Sequence, residues 1–414
     1  TSKPTFKDLK AYSKNANNEK KNNIDNALCR LYLDGKCTEK GKPTSEGVRR
    51  THFFYQGWAH LFAVNHRQHT PRQHDIRHGG KLLVDTMYLK EQRWILNTSM
   101  WGRLRGANGY SRVKISQKRH KVEHRKASET FPYMILADLR CVLGKHADGL
   151  LGSNDFERLP LEINYQQHFI RKLNTIPDSV KRNYQCLPLT FKDKDCLIKA
   201  TIWFNGQAIE GLYIIDTGSG ADIFFTEATT KKYNMESYKG KKRVGHGLDM
   251  GLGDGGVSTW IDAYADSMRM GSLRIPQPEI SMLPVGKGAF KENIYVGNIG
   301  AGVLGCYNLV IDIPNGKLYC RQFKEYLSDG TMWGFSWINR TDIGKGWIVR
   351  SIYDGSAADK AGMKLGDIVV EVNGRKVEHF SWEEERALSN DSTVTLLLKT
   401  EQGMRKVTLQ KEEY

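Results

Sequence analysis

The chain has 414 residues, 39% of them hydrophobic, and a formal net charge of +16. That length suits two or three cores rather than one, and no apolar run is long enough to cross a membrane as a helix. Lys and Arg outnumber Asp and Glu by 27 to 11 over residues 1–130 and match them at 35 to 35 over the rest; the basic third shows no helix-turn-helix, zinc-finger or RNA-binding signature, so a solvated basic surface is expected there and a specific nucleic-acid partner is not.

The N-terminus, Thr-Ser-Lys-Pro, lacks both Met and a signal-peptide pattern, which suits a processed chain whose targeting segment is gone. Residues 1–47 are polar and rich in Lys and Asn. Phe6, Leu9 and Tyr12, then Ile24, Ala27, Leu28, Leu31 and Tyr32, recur at helical spacing and predict two helices. From Thr51 to Val64 the apolar density fits either a third helix or a buried strand. His66, His69, His74 and His78 follow among Arg, Gln, Pro71 and Gly79-Gly80, a loop composition that presents no ligands on a fixed element. No metal site is expected.

Leu82, Val84, Thr86 and Tyr88 alternate, and Trp94-Ile95-Leu96 returns, which predicts a hairpin ending in Asn97-Thr98-Ser99. The basic run 112–126, with Val113 and Ile115, suggests another hairpin, and Tyr133–Leu143 a strand. Asp148-Gly149-Leu150-Leu151-Gly152 precedes Leu161-Glu162-Ile163, and residues 174–184 resemble a linker. Beyond it Ile198, Ala200, Ile202 and Phe204 alternate, Asn205-Gly206 turns the chain, and Leu212–Ile215 delivers Asp216 to a Thr217-Gly218 turn. Later, Ala301-Gly302-Val303-Leu304-Gly305 followed by Val310-Ile311-Asp312 repeats the 148–163 pattern. The expectation is therefore two similar β lobes, 80–175 and 185–325, behind a helical basic region, 1–79.

Ile214-Ile215-Asp216-Thr217-Gly218-Ser219, with Gly302-Val303-Leu304-Gly305 downstream, resembles the aspartic proteases of the pepsin and retropepsin clan, specifically bacterial members with a PDZ domain behind the protease. The resemblance implies a mainly β, bilobal acid-protease fold of two retropepsin-like barrels. Asp216 would be a catalytic acid, with Thr217 bracing the two turns, Gly218 closing its own and Ser219 bonded to the carboxylate. Gly251, Gly253, Asp254, Gly255 and Gly256 would form the flap that folds over a polypeptide substrate. Such sites pair two Asp residues that share one proton. Here the matching first-lobe positions are Asn97 and Thr98, and an amide cannot share a titrating proton. Three arrangements stay open: a degenerate first lobe that only braces Asp216, a homodimer that pairs two Asp216 residues, or Asp85-Thr86 as the true partner, with Met87 where glycine would stand.

Residues 332–414 change pattern again. Gly355-Ser356-Ala357-Ala358-Asp359-Lys360-Ala361-Gly362-Met363 and Leu365-Gly366-Asp367-Ile368-Val369-Val370-Glu371-Val372-Asn373-Gly374 look like a PDZ domain. That resemblance implies a peptide ligand added as a strand beside Gly334, Phe335, Ser336 and Trp337, with a helix near Glu383–Leu388 as the other wall. Together these features predict an aspartic endopeptidase homologue, periplasmic or secreted, that needs no cofactor, or a peptide-binding scaffold that has lost catalysis.

Seven cysteines carry no CxxC pair. Cys29/Cys37, Cys186/Cys196 and Cys306/Cys320 are local pairs for an oxidising compartment, leaving Cys141 free; buried thiols in a reducing one fit equally.

Overall fold

The computed structural model describes residues 30–33, 51–54, 75–77 and 83–413, apart from short gaps at 92–99, 108, 117–119, 125–126, 132, 151, 154–156, 249–250, 254–255, 292–293 and 329. The chain is mainly β. Most of the helices expected over 1–47 and the histidine segment 66–78 lie outside the described residues. Where that region is described it is strand: Arg30–Leu33 pairs antiparallel with Thr51–Phe54, so Leu31 and Tyr32 belong to a ladder.

In the first lobe six strands run in the order Gly149–Leu150, Leu83–Asp85, Met134–Ala137, Gly109–Ser116, Met100–Gly106 and Asp75–Arg77. Its two faces have different neighbours. Leu83, Leu104, Val113, Ile115 and Ile135 form a core of their own, whereas Val84, Met134 and Leu136 join the large core of the second lobe. The hairpin expected over 81–96 is instead a strand followed by the helix Thr86–Glu91. Asp85 decides this: its Oδ1 accepts the N–H groups of Met87 at 2.8 Å and Tyr88 at 3.0 Å, capping the first turn. Similarly, only Met134–Ala137 of the strand expected at 133–143 is extended; Arg140–Leu143 is helical.

The second lobe is built on the hairpin Asp195–Phe204/Gln207–Asp216. Asn205 at φ +50° and Gly206 at +73° make the tight turn that the Asn-Gly pair predicts. Gln207–Asp216 then pairs in parallel with Gly297–Gly300, which also takes Ile223–Phe225 on its other side.

A five-stranded sheet joins the lobes. Leu161–Asn164 and Tyr307–Asp312, the strands that end the two repeat copies, pair antiparallel with Leu161 opposite Ile311 and Ile163 opposite Leu309. Each is extended by its own hairpin partner, Phe169–Lys172 and Lys317–Gln322. The strands that end the two copies therefore lie side by side, antiparallel. The expected linker 174–184 contains the helix Asp178–Asn183, whose Val180 is buried against Val310 and Tyr319 of this sheet.

Residues 331–413 form the third module, with its own core around Trp347, Val349, Val369, Leu396 and Leu398. Among the described residues, Cys141, Cys186, Cys196, Cys306 and Cys320 form no disulfide with one another; Cys29 and Cys37 lie outside the described residues. The local pairs at 186/196 and 306/320 do not form, because the registers separate them. Cys186 faces Tyr319 while Cys196 faces Phe191, and Cys320 faces Leu309 while the carbonyl of Cys306 takes the N–H of Phe323.

Candidate functional site

The strand that carries Asp216 is buried where it matters: Tyr213, Ile214 and Ile215 are at most 2% exposed. Asp216 lies opposite Gly300 in the parallel ladder. A Cβ on Gly300 would land 2.0 Å from the carbonyl oxygen of Ala221, so glycine is what lets the turn close against its neighbour. This corrects the supporting motif: the strand beside the turn is Gly297–Gly300, and Ala301–Leu304 is one turn of helix.

The Asp216 carboxylate accepts the Gly218 N–H on Oδ1 at 3.0 Å and the Asn298 side-chain amide on Oδ2 at 2.8 Å. Burial pushes its carboxyl up to about 6, against the downward pull of Asn298 and of the Gly218 and Ser219 amides. Ser219 acts through its backbone; its hydroxyl takes the Ala221 N–H instead of reaching the carboxylate. Among the described residues, the Thr217 hydroxyl and the Asn298 amide oxygen are buried without a hydrogen-bond partner. Thr217 therefore does not make the expected bridge to another described turn.

No second carboxylate is among the groups that act on Asp216 within the described residues. Asn97 and Thr98 lie outside them. Asp85 occupies a corresponding place, at the end of a strand paired in parallel with Met134–Ala137, but its oxygens are fully used. Besides the two helix N–H groups, it accepts those of Leu139 at 2.8 Å and Arg140 at 3.1 Å, and the Arg140 guanidinium stands 3.4 Å away. Asp85 is fully buried. It is a structural acid within this chain, and Arg140, which also bonds Glu91 and Asp148, is its counter-charge.

The flap expectation falls on the hairpin Lys242–Leu248/Val257–Tyr264, with Leu248 opposite Val257. Gly251 at φ +134° and Gly256 at +92° turn its tip in the left-handed region; Asp254 and Gly255 lie outside the described residues. The tip leans on the first lobe. Leu252 packs against that lobe's core, and the Ser111 hydroxyl donates to the Gly253 carbonyl at 2.7 Å.

The first strand of this hairpin pairs with the C-terminal module, Gly245 opposite Tyr353. Gly334 holds φ +85°, and a Cβ there would sit 2.0 Å from that of Ser356. Phe335–Asn339 pairs with Trp347–Tyr353; Phe335 and Trp337 are ring neighbours at 5.6 Å, Trp337 stacks on Trp347 at 5.2 Å, and the Ser336 and Ser351 hydroxyls meet at 2.5 Å. The expected second wall is the helix Trp382–Ala387, entered through a Ser381/Glu384 capping box. Glu385 ties the walls together, accepting Trp337 Nε1 at 2.9 Å and Asn339 Nδ2 at 2.6 Å. Glu385, Asn298 and Arg140 were invisible as site residues in the sequence, where an isolated Asn, Glu or Arg signals nothing about its partner.

Comparison with known proteins bears on these modules unequally. No curated protein sequence matches the chain. Solved structures similar to it include basic 7S globulin from soybean, at 10% identity, TM-score 0.31, covering 66% of this chain and 88% of that one, and conglutin gamma, a basic 7S globulin from lupine seeds, at 11% identity, TM-score 0.33, covering 67% and 89%. Likeness that loose assigns neither activity nor ligand. The PDZ domain family matches residues 348–400, and the C-terminal module is accordingly a PDZ domain.

Proposed function

We propose that this protein binds polypeptide, in the PDZ groove and in the cleft beneath its flap hairpin, and hydrolyses the bound chain where a second Asp216, from another copy, faces the first. The observation that carries this reading is the pairing of Asp216 with an amide and no second acid among the described residues. A dyad needs one ionised carboxylate to take a proton from the attacking water and one protonated carboxyl to support the developing oxyanion. A carboxyl pushed up to about 6 suits the protonated role. The buried, unpartnered Thr217 hydroxyl and Asn298 oxygen are what a facing turn would satisfy.

The test is cleavage of an unfolded polypeptide by wild type, Asp216→Asn and equimolar mixtures. Asp216→Asn should be inert. In a site shared by two copies, randomly assorted mixtures retain about a quarter of the activity, against about half for independent sites. Activity that persists in Asp216→Asn would sink the assignment, and activity in a strict monomer would sink the shared site. A binding scaffold without hydrolysis is the second reading, favoured by the fully occupied Asp85; it predicts polypeptide binding with no cleavage at any protein concentration.

A further inference from the structure

The strand Phe335–Asn339 pairs on one side with Trp347–Tyr353. Along its other edge runs a piece of the first lobe. The Lys145 N–H donates to the Asn339 carbonyl at 2.8 Å, and Gly144 lies so close that a Cβ on it would meet the Asn339 oxygen at 3.5 Å. One residue on, the His146 ring lies 5.0 Å from that of Trp382, the first residue of the helix forming the other wall, and its Nε2 is 3.7 Å from Glu385 Oε2. The segment therefore reaches from the strand wall to the helix wall. A backbone N–H given to an exposed strand edge, with the next side chain set against the facing helix, is how a sheet edge takes up a peptide strand.

We infer that Gly144–His146 is an internal ligand of the PDZ groove, a latch that an outside peptide must displace, and that displacement loosens the flap. This rests on reading the groove as a peptide site. Arg350 links the two events: its Nη1 donates to the Val142 carbonyl at 2.9 Å, at the base of the latch, and its Nε to the Leu248 carbonyl at 3.3 Å, at the end of the first flap strand. That flap strand is itself hydrogen-bonded to the PDZ domain, Gly245 opposite Tyr353 and Gly247 opposite Ser351. With the flap tip on the first lobe, the contacts close a ring: first lobe to PDZ groove, PDZ strand to flap, flap tip to first lobe. Because the latch is tethered, its effective concentration is on the order of millimolar, so free peptide competes poorly until the latch is weakened.

The test uses the full chain, a fluorescein-labelled synthetic peptide spanning residues 139–149, and amide hydrogen exchange. Lys145→Pro removes the donated N–H, and His146→Ala removes the ring. Either variant should bind the peptide about tenfold more tightly than wild type, and exchange should quicken by about tenfold at 140–148 and at Lys242–Leu248 while Thr393–Thr400 keeps its protection as the control for folding. Should Lys145→Pro lose that protection, His146→Ala decides. Unchanged exchange at 140–148, or measurable peptide binding of equal affinity in variant and wild type, overturns the latch. Faster exchange at both segments without peptide binding in any form leaves the latch standing and removes the peptide-site reading.

Discussion

Asp216 and Asp85 show how far residue-level context separates two acids with the same local sequence, two apolar residues, Asp and Thr. Asp216 has one side-chain amide and turn N–H groups for partners, whereas Asp85 has four backbone N–H groups and Arg140; burial is the largest influence on both and raises both carboxyls. The Asp216 pKa of about 6 lies above the ordinary 3.8; the folded protein thus binds this proton more tightly than the unfolded chain, and stability from the group is fully present below about pH 4 and lost as pH rises through about 6. Asp216→Asn removes the titration. The variant should gain on wild type between pH 4 and pH 7 by on the order of 2 kcal/mol, measured by urea unfolding at both ends of that range. A difference that does not change with pH would show that the ionised carboxylate is not buried in the way described. The Asp-Thr-Gly turn was legible because an acid at the end of four apolar residues is costly to bury unless it is hydrogen-bonded or used. Asn298 was not, since Gly-Asn-Ile-Gly is an unremarkable strand until its register puts the amide beside Asp216.

At the level of elements, the junction at Asp85 carries the first lobe. Four N–H groups from the helix Thr86–Glu91 and from the start of Arg140–Leu143 converge on one carboxylate, with Arg140 at 3.4 Å. Asp85→Ala leaves those four buried donors without their acceptor and takes away one of the counter-charges of Arg140, which keeps Glu91 and Asp148, and should destabilise the protein by on the order of 3–5 kcal/mol. Arg140→Met also takes the guanidinium from Glu91 and Asp148, so the loss in the double variant should be smaller than the sum of the two single losses by the Asp85–Arg140 term alone; a double-mutant cycle measures that coupling. Strictly additive effects would mean the ion pair contributes nothing. Reading a hairpin here followed the alternation of Val84, Thr86 and Tyr88. The competing signal was present as well: Asp before Thr-Met-Tyr-Leu-Lys-Glu is an N-cap ahead of helix formers. The repeat, by contrast, was legible through its ends, since Leu161-Glu162-Ile163 and Val310-Ile311-Asp312 both fell on the strands that pair at the lobe junction.

Across the whole molecule, composition and punctuation separated the modules near residue 330, yet the sheet runs straight through that boundary. Lys242–Leu248 pairs with Trp347–Tyr353, a contact with no sequence signature, because a strand edge offers the same backbone groups whatever its side chains. The side chains reinforce the ladder. Tyr353 donates its hydroxyl to Asp262 Oδ2 at 2.6 Å, beneath a T-shaped contact with Trp260 and the Arg243 guanidinium 4.9 Å from its ring centre, and His246 lies 3.1 Å from Asp354. Asp262 is buried and also held by Ser281 and Trp260, so losing one donor weakens it without leaving it bare. Tyr353→Phe should therefore cost about 1–2 kcal/mol while keeping the ring packing. Where that loss is felt tests the joint. If the ladder makes flap and PDZ domain one cooperative unit, exchange should quicken together in Lys242–Leu248, Val257–Tyr264 and Trp347–Tyr353. If the modules open independently, the PDZ strand alone will respond and the flap hairpin will keep its wild-type protection, an outcome that would also deprive the latch of its route to the flap.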